Sequence, residues 1–356
     1  TLRHSSAASD VYKRQIRGDP VSSDGKKLIE KLRSCLYNLD INEFADTLEE
    51  IFHDNAIIQL SFPFETLTNG ARELYTHVFT PLIDAIPDLE RRDTIVMAGN
   101  TDAGKHWVGC CGYYTGTFTS TWLDILPTGH QASLRFHEFY RIEHGKIAEM
   151  QAIWDIPELM MQANAWPMAP SLGREWHVPG PATQDGITTQ LRDAKRSEDS
   201  LKLVNDMCAG LSNFASGGVQ AMNLETYWHP LCNWYGPSGI GTGRGLAGFR
   251  NWHQIPFLNA LPNRGVIDNT RHMFSDGNYV GFTAWPGMQM TISGDGWLGI
   301  APANQEITMR SLDFWRCEDG LIRENWVLID LLDVYNQLGV DVLGRMQEFN
   351  KAKRIL

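Results

Sequence analysis

The sequence predicts two copies of one α+β domain in tandem. Three observations carry this: an internal repeat, a loop-like segment between the copies, and helices preceding strands in each. The repeat is plainest at two places. Gly70, Pro81, Ala85 and Pro87 return as Gly245, Pro256, Ala260 and Pro262, a constant offset of 175. The closing stretch 140–155 returns as 315–330, with Arg141/Arg316, Glu143/Glu318, Gly145/Gly320, Ile147/Ile322, Glu149/Glu324 and Asp155/Asp330 identical. Pro127/Pro302, Arg135/Arg310 and Gln162/Gln337 keep the same offset, and His53 meets His229 after a slip of one. Duplication leaves identities along most of a period; chance does not.

At 356 residues the chain exceeds what a single core ordinarily organises. The first domain is placed at 26–165 and the second at 196–356, joined by a linker at 166–195 that is rich in proline and glycine and lacks an apolar period. Residues 1–15 contain DVYKRQ, which reads as translated sequencing-adapter DNA, and they are set aside from the fold. Each copy opens with an amphipathic helix. Leu28, Ile29, Leu32, Cys35, Leu36 and Leu39 keep helical spacing in the first, and Leu201, Leu203, Val204, Met207, Cys208 and Leu211 in the second. A further helix is expected at about 70–85 and again at about 246–260. Strands fill the rest. The last two of each copy join through His144-Gly145 or Asp319-Gly320, the kind of pair a type I′ hairpin turn needs.

Composition narrows the function. A formal charge of −11 disfavours nucleic acid and anionic membrane surfaces as partners. No apolar run reaches the length of a membrane span. The six cysteines form no CxxC pair and read as buried thiols, so a cytoplasmic location is expected. Gly243-Arg-Gly245-Leu-Ala-Gly248 satisfies a dinucleotide fingerprint, but no apolar strand precedes it. The histidines show no metal-ligand spacing, so neither a metal nor another cofactor is expected.

Period-two alternation from a two-residue turn sorts the closing hairpin into faces. Phe136, Glu138 and Tyr140 fall opposite Ile153, Gln151 and Glu149, sharing a face with Asp155. Arg135, His137 and Phe139 take the other face with Met150 and Trp154. In the second copy Asp313, Trp315, Glu324, Trp326 and Asp330 group together, against Arg310, Leu312, Phe314, Asn325 and Ile329. A bulge would flip part of this assignment.

Here a family pattern emerges. Glu138-Phe-Tyr-Arg141 with Gly145-Lys-Ile-Ala-Glu149, and Asp313-Phe-Trp-Arg316 with Asp319-Gly-Leu-Ile-Arg-Glu324 and Gln337-Leu-Gly339, resemble the SnoaL-like polyketide cyclases of the NTF2-like superfamily. The resemblance spans about 26–165 and 200–342. It implies two cones of curved antiparallel sheet wrapped by helices, each with an internal pocket. The implied chemistry is a cofactor-free aldol cyclisation or isomerisation of a small hydrophobic carbonyl compound. Family cyclases commonly carry His-Trp-Asp after the hairpin glutamate; here those slots hold Met150-Gln151-Ala152 and Asn325-Trp326-Val327. That departure keeps a second reading open, a non-catalytic protein that binds a small molecule or uses the fold for association. It is also consistent with the two domains pairing as an intramolecular pseudo-dimer.

The candidate proton-transfer residues are Asp155, Asp330 and His137. Each aspartate closes a strand just before a helix, so an N-cap role competes with that of general base. His137 is either a proton shuttle or a satisfied core histidine. Arg135, Arg310, Tyr140, Trp315, Trp154 and Asp313 are the candidate substrate contacts. Glu138 and Asp313 also fit a structural ion pair with a strand arginine. The tryptophans concentrated in the second copy fit either a core or the wall of an aromatic ligand's pocket.

Overall fold

The computed structural model describes residues 20–187, 193–211, 213–294 and 296–354. Residues 1–15 and part of the linker lie outside this set. In the first copy α1 (Pro20–Tyr37) buries Ile29, Leu32 and Leu36, the apolar stripe its spacing predicts. α2 (Ile41–Ile51) is started by Asp40, whose carboxylate accepts from the backbone N–H groups of Asn42 and Glu43 at 2.9 and 3.3 Å. Then come β1 (Phe52–Leu60), β2 (Thr66–Leu67) and a continuous helical stretch α3 (70–85) containing one π turn. β3 (Glu90–Asn100), β4 (His106–Thr117), β5 (Gln131–Glu143), β6 (Lys146–Trp154) and α4 (Ile156–Gln162) complete it. The sheet runs β2-β1-β6-β5-β4-β3, with β1 parallel to β6 and every other pair antiparallel.

The second copy repeats this plan. Its elements are α5 (Ala194–Leu211), α6 (Phe214–Ala221), β7 (Trp228–Tyr235), β8 (Thr242–Arg244), α7 (245–260), β9 (Gly265–Val266), β10 (Arg271–Asp276), β11 (Tyr279–Ile292), β12 (Gln305–Glu318), β13 (Leu321–Ile329), α8 (Leu331–Gln337) and α9 (Val342–Arg354). Its sheet runs β10-β11-β12-β13-β7-β8, β9 pairs with β11, and β7 lies parallel to β13. Both copies are therefore α+β units with helices ahead of a mixed sheet. Among the described residues no helix is long and apolar enough to cross a membrane.

Both closing turns take the expected form, with positive φ at His144 and Gly145 and at Asp319 and Gly320. The faces do not. A bulge between Arg141 and Ile142 shifts the first hairpin by one, so Phe136, Glu138 and Tyr140 pair with Trp154, Ala152 and Met150. The same bulge between Arg316 and Cys317 pairs Asp313 with Val327 and Trp315 with Asn325. Each acid thus faces the interior of its own cone. Arg135, His137 and Asp155, with Arg310 and Asp330, turn to the other side.

That other side is the contact between the copies. β4 is buried along ten consecutive residues, the mark of a strand covered on both faces. A core lies between the sheets, built from Met97, Trp107, Phe139 and Ile153 of one copy and Phe274, Phe314, Trp326 and Leu328 of the other. Phe139 stacks on its own counterpart, Phe314, with centroids 4.8 Å apart. Gly109 makes room: a Cβ there would come within 2.9 Å of the Phe314 ring. The linker is tied to both units. Arg174 pairs with Thr242, Gly186 accepts from the Val96 N–H at 2.9 Å, and the Trp326 indole donates to the Pro179 carbonyl at 2.9 Å.

Candidate functional site

The two cone interiors differ at one equivalent pair of acids. In the first copy Glu138 is fully buried and fully engaged. Arg91 donates to it at 2.6 Å, the Tyr140 and Tyr114 hydroxyls at 2.5 and 2.9 Å, and the Trp154 indole at 2.9 Å. Arg91 also pairs with Asp93 at 2.9 Å and lies over the Phe136 ring. A buried carboxylate with a cation and three donors is satisfied, and its cluster of side chains occupies the interior of this cone.

Strand registers give the matching positions in the second copy. Arg91 lies across from Tyr114 and Tyr114 from Leu134; Val266 lies across from Met288 and Met288 from Met309. Arg91, Glu138, Tyr140 and Trp154 become Val266, Asp313, Trp315 and Ile329 at the 175 offset, and the register puts Met288, one short of that offset, in the place of Tyr114. The cation and the hydroxyls are gone, and all five replacements line a cavity of about 180 Å³. Oδ1 of Asp313 is buried without a hydrogen-bond partner, and the half-buried side chain lines this cavity. Desolvation, with no cation to oppose it, raises its pKa well above the ordinary aspartate value.

Other polar groups in the wall are equally unpartnered. The indole N–H groups of Trp228 and Trp315, Nδ1 of His253 and Oε1 of Gln254 meet no hydrogen-bond partner. Each such group costs about 1–3 kcal/mol when buried alone. His253 stacks on Trp234 at 4.0 Å, and burial lowers its pKa to about 3, so its ring is neutral at pH 7. Asn325 is oriented by donating to the Phe314 carbonyl at 3.0 Å. The result is an aromatic chamber with one acid and a few donors and acceptors awaiting a guest.

A family model for the SnoaL-like polyketide cyclases matches residues 27–163 and again 218–338. The chain belongs to that family. Solved structures similar to it include AclR from Streptomyces galilaeus, at 17% identity over 42% of this chain and 86% of that one, TM-score 0.35. Wild-type IdmH from Streptomyces antibioticus aligns at 19% identity over 39% and 96%, TM-score 0.32. An NTF2-like protein from Burkholderia thailandensis E264 aligns at 19% over 40% and 97%, TM-score 0.30. The comparison with curated proteins returned no match.

Within this SnoaL-like tandem the nine residues singled out from sequence fall into three places. Tyr140 and Trp154 belong to the filled cone. Asp313 and Trp315 line the open one. Arg135, His137, Asp155, Arg310 and Asp330 lie where the copies meet. Asp155 accepts from Arg135 at 3.0 Å and from the Ser238 N–H at 2.9 Å; Asp330 accepts from Arg310 at 3.1 Å and from the Phe62 N–H at 2.9 Å. The capping alternative holds for Asp330, which accepts from Asp333 N–H, whereas Asp155 makes no side-chain cap bond. Burial, opposed by Arg310, pushes Asp330 up to about 7. His137 bonds the Leu312 carbonyl through Nδ1 at 2.7 Å, and desolvation holds its pKa well below the usual histidine value.

The ion-pair alternative holds for Glu138, which pairs with Arg91 of β3 at 2.6 Å, and fails for Asp313. Arg141 pairs with Glu149 and Arg316 with Glu324, whereas Asp313 pairs with no cation. His253, Gln254 and Asn325 were not among the sequence candidates for the site, and Trp228 entered only through the tryptophan excess of the second copy. A position-by-position comparison of the copies carries the missing signal: an acid kept at 138/313 while its surroundings turn from polar to apolar.

Proposed function

We propose that the second copy is the working site, a cofactor-free acid/base centre acting on a small hydrophobic ketone. Asp313 is its proton-transfer residue. In this reading the ionised Asp313 takes the proton alpha to a carbonyl, and the C–H electron pair forms the enolate C=C. The displaced carbonyl electrons move to oxygen, where an indole N–H of Trp315 or Trp228 stabilises them. In an intramolecular aldol closure the enolate carbon then bonds a second carbonyl carbon, and Asp313 returns its proton to the new alkoxide. A carboxyl with a raised pKa suits both halves of that exchange. The observation carrying the proposal is the partnerless Asp313 carboxyl inside an aromatic cavity.

The test is hydrogen–deuterium exchange at the alpha carbon of 1-tetralone in D₂O, followed by NMR. Wild-type protein is expected to accelerate exchange and Asp313→Asn to abolish the acceleration, while Asp155→Asn and His137→Gln keep it. Acceleration that survives Asp313→Asn overturns the assignment. A rival reading, binding without turnover, draws on the same unpartnered donors and acceptors. It predicts that 1-tetralone raises the melting temperature with no exchange above background.

We also read the first copy as a built-in subunit partner, so that duplication replaces homodimerisation. Contacts between equivalent residues, such as Phe139 with Phe314 and His137 with Leu312, support a pseudo-twofold axis through the interface. The reciprocal bonds of Asp155 and Asp330 to the opposite copy fit the same symmetry. A monomeric mass by light scattering is expected; a homodimer would count against it.

A further inference from the structure

The cavity holds a second unmatched charge. Arg33, Arg91, Arg135, Arg310 and Arg316 each meet a carboxylate within 3.1 Å. Arg264, just before β9 on the cavity wall, meets none among the described residues. Its Nη2 donates to the Leu211 carbonyl at 3.2 Å, and its guanidinium lies 5.8 Å from the centre of the Phe257 ring. Burial lowers its pKa where carboxylates raise those of the other five. Arg271 also lines the cavity; its carboxylate partner at 3.2 Å is Asp268, whose side chain is 87% exposed.

A half-buried guanidinium on a cavity wall with no carboxylate partner is open to an anion that a ligand brings. Asp313 does not supply that anion: among the described residues no hydrogen bond or ion pair joins it to Arg264, whose Nη2 bonds the Leu211 carbonyl. The wall therefore presents a cation near β9, an unpartnered acid on β12 and aromatic rings around both. A planar carboxylate suits the guanidinium fork, and a fused ring suits the aromatic surround.

We propose that the ligand is a fused-ring carboxylic acid. Its carboxylate is held by Arg264 with Arg271 beside it, and its reacting carbonyl points toward Asp313. This rests on the reading of the second copy as the working site and adds the substrate's charge. Arg264 is then the residue that selects the free acid over its ester or amide.

The test uses 2-naphthoate and methyl 2-naphthoate, one ring system with and without the charge, titrated calorimetrically into the full chain. Wild-type protein is expected to bind the acid at least about tenfold more tightly than the ester. Arg264→Gln should remove about that preference while ester affinity stays within about threefold, which also reports an intact cavity. An ester bound as tightly as the acid overturns the anion inference and leaves the cavity reading standing. A preference for the acid that survives Arg264→Gln overturns the role of Arg264. If neither compound binds, the inference and the cavity reading fall together.

Discussion

Glu138 and Asp313 occupy one position in two copies of one fold, and their surroundings give them opposite properties. Around Glu138 an arginine, two tyrosines and a tryptophan satisfy the carboxylate and close the cone. Around Asp313 the corresponding side chains are Val266, Met288, Trp315 and Ile329, and a cavity opens. A buried acid is inert when its charge is matched and a poised proton carrier when it is not. The backbone supplies the position; four neighbours decide which. Retaining one matched copy keeps the sheet that the other packs against, so the open copy can lose internal polar contacts without losing its support.

The comparison can be broken at Arg91 first. Arg91→Leu strands Glu138 without its cation and should cost about 3–5 kcal/mol of unfolding free energy, read by urea denaturation. A cost below about 1 kcal/mol would mean that the filled cone is not held by this pair.

The interface aspartates sharpen the contrast next. Asp155→Asn should cost about 2–3 kcal/mol, because among the described residues the buried Arg135 guanidinium pairs with no other carboxylate, Glu158 bonding only its backbone N–H at 2.7 Å. Asp330→Asn should cost about 1 kcal/mol, because Arg310 keeps Glu65 at 2.7 Å and Asp333 at 3.6 Å. Equal costs from the two substitutions would mean that Arg135 and Arg310 depend equally on their aspartates.

The open cone predicts the reverse sign. Asp313→Leu should stabilise the protein by about 1–2 kcal/mol at pH 7, because it removes an unpartnered polar group. The folded-state pKa of Asp313 is raised, so the unfolded chain gives up its proton first as pH rises. Wild-type stability should therefore fall relative to Asp313→Leu from about pH 4 upward until the native carboxyl itself ionises. The gap should narrow at acid pH; a gap that widens there would contradict the raised pKa.

Much of the fold was legible in the sequence. The 175 offset, the amphipathic helices and the turn dipeptides are local or repeated signals, and the structure follows them. The faces of the closing hairpins were not legible, because a single extra residue on the return strand, Ala148 or Arg323, reverses the alternation. That bulge sends His137 and Asp155 to the interface and Glu138 and Asp313 inward. The cavity wall was hidden for another reason. His253, Gln254 and Arg264 reach Asp313's cavity from a helix and a strand edge some fifty residues earlier, and no motif spacing links them. The tryptophan excess falls in the copy where Trp228, Trp234 and Trp315 line a cavity, and that copy lacks a counterpart of Arg91.

The most direct measurement is the titration of the Asp313 carboxyl by carbon-13 NMR, assigned through the resonance that disappears in Asp313→Asn. The account predicts a midpoint well above the aspartate reference of about 3.9, moved again when 1-tetralone is added. A midpoint at or below about 3.9, unaffected by the ketone, would mean that Asp313 is matched or solvated like any surface acid, and the open copy would lose its proton carrier.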